Sequence, residues 1–305
     1  ANAGVQYRTH WIPTFVGMTS VFRGMCSRRT RTPIRYTIVR MLDYPQIDPV
    51  AIALGPIKIR WYGISYVIGI LGAWWLLNRR ADAQPGVWTR VQVGDLVFYC
   101  AFGLLLGGRL GEVLFYQPGY YFSEPLAMLR IWEGGMSFHG GLIGGLVGAG
   151  VFARHTGKAF FAVTDFLAPV IPVGLACGRV ANFINGELWG TASSLPWAVI
   201  FPDPRAGGIP RHPSQLYEAL LEGVLLFVIL WWYSSRPRPA MATTGLFFAL
   251  YGLARIAVEF VREPDAHIGY LAGGWVTLGQ VLSLPMVILG MAMVLWAYRT
   301  ATPTR

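Results

Sequence analysis

The chain has 305 residues, of which 54% are hydrophobic and only 13% charged, and its mean hydropathy is +0.46. That balance excludes an ordinary soluble globular protein, and the 12 Trp and 37 Gly point toward a membrane, where aromatic rings collect at the interfaces and glycine lets helices approach closely. The net charge of +10 is a poor guide to partners: Arg8, Arg23, Arg28, Arg29, Arg31, Arg35 and Arg40 all lie in residues 1–40, which hold no acid, and without these seven arginines the charge is +3.

Residues 1–40 read as an upstream extension, set aside from fold reasoning. Composition changes after Met41, and the segment lacks the apolar stretch of at least about seven residues that a signal sequence needs. Nucleic-acid binding by this arm is not expected. Cys26, Cys100 and Cys177 have no paired spacing, so neither a disulfide framework nor a metal site is indicated.

Seven apolar stretches follow, at roughly 61–78, 94–116, 136–153, 160–181, 215–233, 244–262 and 275–298, most near the ~20 residues that cross a bilayer as a helix. The expected fold is therefore an all-α integral membrane protein of seven transmembrane helices. Basic residues give the orientation. Arg79, Arg80 and Arg90 follow the first stretch, Arg154 and Lys158 the third, Arg236 and Arg238 the fifth, and Arg299 and Arg305 the seventh, so these connections belong to the cytoplasm. The remaining connections carry mixed or acidic charge and face outward. The longest, about 182–214, is rich in Pro and Gly and is expected to form a small external cap between the fourth and fifth helices.

Polar groups gather at the outer ends. Arg179, Asn182, Asn185 and Glu187 close the fourth stretch, and His139 opens the third between glycines. In the sixth, Tyr251, Arg255 and Glu259 follow i, i+4, i+8 spacing along one helical face, with Arg262 a turn beyond. Gln215, Glu218 and Glu222 begin the fifth, and Arg109 and Glu112 lie in the second, where they read as a structural pair. Arg255 with Glu259 reads equally as a self-neutralising pair or as part of a site. Tyr62 lies at the outer interface, where an aromatic belt alone explains it, and Asp165, near the inner end of its stretch, reads as structural.

Ionisable groups in hydrocarbon usually face a cavity, a partner or a substrate. Two unpaired arginines, Arg179 and Arg255, at headgroup depth suit a lipid phosphodiester. A histidine that titrates near neutrality suits proton removal from a nucleophile. A headgroup transporter would share the arginines, but paired interrupted helices in corresponding halves are not apparent. Ser137 beside His139 invites an intramembrane hydrolase, yet no G-x-S-x-G elbow accompanies it. HxxxxD and HExxH patterns, which would suggest an O-acyltransferase or a metalloprotease, are missing from the sequence.

From about Met41 to its end the chain resembles the bacterial prolipoprotein diacylglyceryl transferase family. The segment Gly178 to Gly190 (GRVANFINGELWG) looks like that family's signature, supported by His139-Gly140-Gly141, Arg60-Trp61-Tyr62-Gly63, His212 to Glu218 (HPSQLYE) and Tyr251 to Pro264 (YGLARIAVEFVREP). The resemblance implies seven transmembrane helices with a small periplasmic head, in the bacterial inner membrane. It implies transfer of diacylglyceryl from phosphatidylglycerol to the lipobox cysteine of a preprolipoprotein, with no cofactor and no metal. It also places catalytic roles on His139, Arg179, Arg255 and Tyr251, and phosphatidylglycerol binding on Tyr62, Arg179, Asn182, Glu187, Gly190, Arg255 and Glu259.

Overall fold

The computed structural model describes residues 42–55, 57–130, 134–264 and 269–301. The extension expected over residues 1–40 lies outside the described residues. Helices dominate: α1 Trp61–Asp82, α2 Arg90–Gly111, α3 Pro118–Ser123, α4 Phe138–Thr156, α5 Phe160–Leu167, α6 Ile171–Ile184, α7 Ser214–Glu218, α8 Leu226–Tyr233, α9 Ala242–Glu259 and α10 Leu278–Thr300. A π-helical stretch, Glu112–Tyr116, prolongs α2, and another, Ala219–Leu225, joins α7 to α8 into one rod.

Local chemistry sets many of these boundaries. Thr89 and Thr277 cap α2 and α10 with reciprocal capping boxes, each hydroxyl accepting from the third residue's amide while that glutamine reaches back. Ser137 caps α4 through the Gly140 amide at 3.1 Å, and Gly157, at φ 68°, ends it. Between α5 and α6 the sequence Ala168-Pro169-Val170-Ile171-Pro172 removes two amide donors, and the pair bends by 47°. Asp165 does structural work, as expected: its carboxylate accepts the amides of Met241 (2.6 Å) and Thr244 (2.7 Å) and so holds the start of α9.

At least one helical segment lies within each of the seven apolar stretches, although the ends of several are not helical. Among the described residues, three rods are long and apolar enough to cross a membrane: Arg90–Tyr116, Ser214–Tyr233 and Leu278–Thr300, or four if the bent α5–α6 pair is one span. Six glycines dilute α4, and Arg255 and Glu259 lower the hydropathy of α9. Large apolar side chains nonetheless stand exposed along the bundle, among them Phe98, Phe102, Leu114, Ile143, Val228 and Leu289. Apolar surface on this scale is what a hydrocarbon environment covers.

Two features depart from an all-α chain. Strand β2 (Val50–Leu54) pairs antiparallel with β3 (Ile57–Arg60), leading directly into α1. A second small sheet has the order β1-β4-β5: β1 (Leu42–Asp43) lies parallel to β4 (Val199–Ile200), which pairs antiparallel with β5 (Pro210–Arg211). Strands β4 and β5 belong to the long connection 185–213, which together with the segment Leu42–Tyr44 forms a compact cap with its own core of Tyr44, Val199, Phe201 and Ala206 packed on Phe183 and Trp189. The Tyr44 hydroxyl lies 2.8 Å from the Phe183 carbonyl and 2.5 Å from that of Ile184, closing the end of α6.

Candidate active site

Three helical elements meet beneath the cap, and each carries charge: α6 brings Arg179, the α7–α8 rod brings Glu218 and Glu222, and α9 brings Arg255 and Glu259, with Arg262 just beyond. Glu218 is the hub. Its carboxylate is fully buried and lies 2.6 Å from Arg179 Nε, 3.0 Å from Arg255 Nη1 and 2.8 Å from Arg262 Nη1. Glu222, equally buried, is held less closely, at 3.4 Å from Arg179 and 3.8 Å from Arg255. Glu259 pairs with Arg255 on its own helix and takes the Thr277 hydroxyl at 2.5 Å from the start of α10. Three guanidiniums and three carboxylates thus neutralise one another, the condition under which charges persist away from water.

Arg179 reads from the sequence as unpaired, and Arg255 either as the partner of Glu259 or as part of a site; the structure corrects the first and adds partners to the second. Both are ion-paired, to the same two carboxylates. Their side chains keep 18% and 15% exposure, whereas the two glutamates keep none. The arginines are therefore the reachable face of the network, and the carboxylates are its backing. Tyr251 is buried on α9 within electrostatic reach of Arg179, Arg255, Glu218 and Glu222. Tyr62, at the start of α1, is within reach of Arg179 and Glu187, with its hydroxyl 3.3 Å from that of Tyr66.

The loop after α6 is built around Glu187. Its carboxylate accepts from Asn182 (2.9 Å) and Asn185 (3.1 Å), and its carbonyl accepts from Gln215 Nε2 at 2.5 Å. Ser214 Oγ donates to the Leu188 carbonyl at 2.9 Å. Both Gly186 and Leu188 adopt positive φ, 66° and 61°, and turn the chain sharply enough for these contacts. Gly190 then passes between two strands of backbone: its amide donates to the His212 carbonyl at 2.9 Å, and it bridges to Arg262. A Cβ there would stand 2.7 Å from His212 Cβ and closer still to the Val261 carbonyl, so only glycine fits.

Of the expected residues, Tyr62, Arg179, Asn182, Glu187, Gly190, Tyr251, Arg255 and Glu259 are thus tied into one assembly. His139 is not. It stands exposed at the start of α4, its ring beside Phe138, and no hydrogen bond or ion pair joins it to the network among the described residues. Arg109 and Glu112 also differ from expectation. Arg109 donates to the carbonyls of Ala127, Met128, Arg130, Gly134 and Gly135 rather than pairing with Glu112, which instead accepts from Gln117 at 3.2 Å. Arg109 is therefore structural, but as an organiser of the loop that leads into α4.

Glu218, Glu222 and Arg262 were visible in the sequence as acids at i, i+4 and a basic residue one turn past Glu259, yet nothing there revealed them as the partners of Arg179 and Arg255. The signal that could have found them is charge balance: two arginines facing hydrocarbon require acids from another helix, and the start of the fifth stretch supplies them.

Comparison with known proteins adds to this geometry. A family model described as "Prolipoprotein diacylglyceryl transferase" matches residues 49–296. A phosphatidylglycerol–prolipoprotein diacylglyceryl transferase of Azotobacter vinelandii is 59% identical over 260 residues, covering 85% of this chain and 97% of the relative. Proteins of the same name from Ectopseudomonas mendocina and Pseudomonas aeruginosa are 56% and 55% identical, again over 85% of this chain and 97% of theirs. With most of its length matched by that model and relatives sharing more than half their residues across nearly their whole length, the chain belongs to the prolipoprotein diacylglyceryl transferase family.

Proposed function

We propose that the protein transfers the sn-1,2-diacylglyceryl group of phosphatidylglycerol to the lipobox cysteine of a preprolipoprotein, the first step of lipoprotein maturation. A carbon–sulfur bond forms at the glycerol carbon, the carbon–oxygen bond to phosphate breaks, and glycerol phosphate leaves. The observation that carries this reading is the convergence of Arg179 and Arg255, both partly exposed, on one pair of buried carboxylates. That arrangement sets two guanidiniums side by side for one phosphodiester and keeps them in place as charge develops on the leaving oxygen.

Roles follow from position. Arg179 and Arg255 hold the phosphate, and Glu259 orients Arg255. Tyr251 and Asn182 orient the headgroup beside Tyr62, Glu187 and Gly190. The acceptor thiol, with an ordinary pKa of about 8.5, needs a base or a positive field to become thiolate, and His139 assists there. The transferase unit is residues 41–305, with seven helices in the inner membrane and the cap on the periplasmic side. The clustering of Arg79, Arg80, Arg90, Arg154, Lys158, Arg236, Arg238 and Arg299 at the ends remote from the network supports that orientation.

The test is direct. Purified protein mixed with phosphatidylglycerol and a lipobox peptide yields a peptide heavier by one diacylglyceryl unit, as a thioether. A peptide carrying acyl groups alone would overturn the reaction. A His139→Gln protein with near-normal turnover would remove His139 from its role.

A further inference from the structure

The two fully buried carboxylates of the network are not equivalent. Glu218 lies within 3.0 Å of all three arginines. Among the described residues Glu222 reaches only Arg179 and Arg255, at 3.4 and 3.8 Å; the cation nearest its Oε1 is Arg255 at 3.8 Å, whereas Glu218 Oε2 has Arg179 at 2.6 Å. Its helix has little room to adjust: a Cβ on the next residue, Gly223, would stand 2.5 Å from Ala176 Cβ on α6. Glu222 is therefore fixed behind the arginines, fully buried and weakly bound.

The network is neutral as it stands, with Arg179, Arg255 and Arg262 against Glu218, Glu222 and Glu259. A phosphodiester arriving at Arg179 and Arg255 adds one negative charge and draws both guanidiniums away from whichever carboxylate holds them least. A buried carboxylate stripped of its cations does not remain ionised; it takes a proton. Resting on the reading that Arg179 and Arg255 receive the lipid phosphate, we propose that Glu222 is a charge-balancing residue, yielding the two arginines to the phosphodiester and holding one proton while the phosphate occupies them. The proton comes from solvent as lipid binds and returns to it when glycerol phosphate leaves. Glu222 acts through the arginines and touches no reacting atom, so it is a positioning residue.

The groups that face Glu222 single it out for this role. Arg179 does so from α6, Tyr251 and Arg255 from α9, and Glu218 from one turn earlier on its own helix. Tyr251 is neutral at physiological pH, the arginines stay charged, and Glu218 keeps Arg262 after the other two have turned to lipid. Glu222 is the member left to change charge.

Proton uptake on binding is the readout, because a merely structural glutamate would not alter it. Short-chain phosphatidylglycerol is titrated calorimetrically into the full-length protein in buffers of differing ionisation enthalpy. The wild type should take up about one proton per lipid, and its affinity should fall by about tenfold per pH unit where uptake is complete. Glu222→Gln should bind lipid at least as tightly, with uptake near zero and no such pH slope, while Glu222→Asp restores uptake. Wild-type binding without proton uptake overturns the proposal whatever the variants do, as does wild-type uptake in a folded Glu222→Gln protein. Absence of wild-type binding overturns the phosphate reading beneath it as well.

Discussion

Where α2 meets α4, glycine faces glycine; where α6, the α7–α8 rod and α9 meet, arginine faces glutamate. On the first interface a Cβ at Gly107 would stand 2.8 Å from the Gly144 Cα, and one at Gly111 2.9 Å from the Gly140 Cα, so the backbones are already in contact. On the second, fully buried carboxylates bridge three helices. The glycine seam needs only dispersion and shape, and it tolerates no change of charge state because it has none. The ionic seam can be opened by anything that offers the arginines a better anion. On the function proposed above, the glycine seam only packs the bundle, whereas the ionic seam both holds it and receives the phosphate.

The contrast breaks hardest at Glu218. Glu218→Ala leaves three arginines against two carboxylates in a buried site, which should lower stability by about 3–5 kcal/mol. Detergent melting curves would register this, and an unchanged midpoint would show that the ion pairs do not hold the helices. Arg179→Ala should fold better than that variant, because the arginine is partly exposed, but lose about 10²–10³-fold in turnover, the usual effect of deleting one preorganised charge. Arg179→Lys should recover only part, since an ammonium lacks the planar fork that grips a phosphate.

The glycine seam should give the opposite pattern. Gly144→Ala pushes a methyl into the Gly103 backbone, where no flexible side chain can give way, and should cost about 1–3 kcal/mol. Protein that does fold should keep near-normal turnover and unaltered lipid affinity. A Gly144→Ala variant of full stability but poor turnover would show that this seam moves during the reaction.

The helices were legible because apolar runs and their basic flanks follow from the membrane itself. The signature loop was legible too, since Arg179, Asn182 and Glu187 have no reason to end an apolar run unless they serve something. What the sequence concealed was pairing. The i, i+4 spacing puts Glu218 and Glu222 on one face of a helix but does not say which helix that face meets, so Arg179 reads as free and Arg255 as having at most Glu259 for a partner. The same limit made Glu112 look like the partner of Arg109, three residues away, when its five donors are taken by carbonyls 18 to 26 residues along the chain. The short strands escaped notice because two-residue pairings such as Val199–Ile200 with Pro210–Arg211 leave no alternating pattern to read.

The smallest expected effect lies in the cap, where the ionic seam joins the outer loop. His212 donates its amide to Thr191 at 3.0 Å and accepts from Gly190 at 2.9 Å, so it clamps the signature loop against the start of α7. Its ring lies 3.3 Å from the Tyr217 hydroxyl on the wall of a cavity of about 310 Å³, beside Trp197 and Val261. Partial burial holds the imidazole below its ordinary value of 6.5. The unfolded loop therefore binds a proton first as pH falls, and the clamp is at full strength above pH 6.5 and weakens progressively below it. Hydrogen exchange at the Gly190 and Thr191 amides, corrected for its intrinsic pH dependence, should show modestly faster opening at pH 5.5 than at 7.5. His212→Asn should abolish that difference, because an amide cannot titrate. If acid loosens these amides equally in both proteins, the sensitivity belongs to the carboxylates of the network, and the cap answers to the site beneath it rather than to its own histidine.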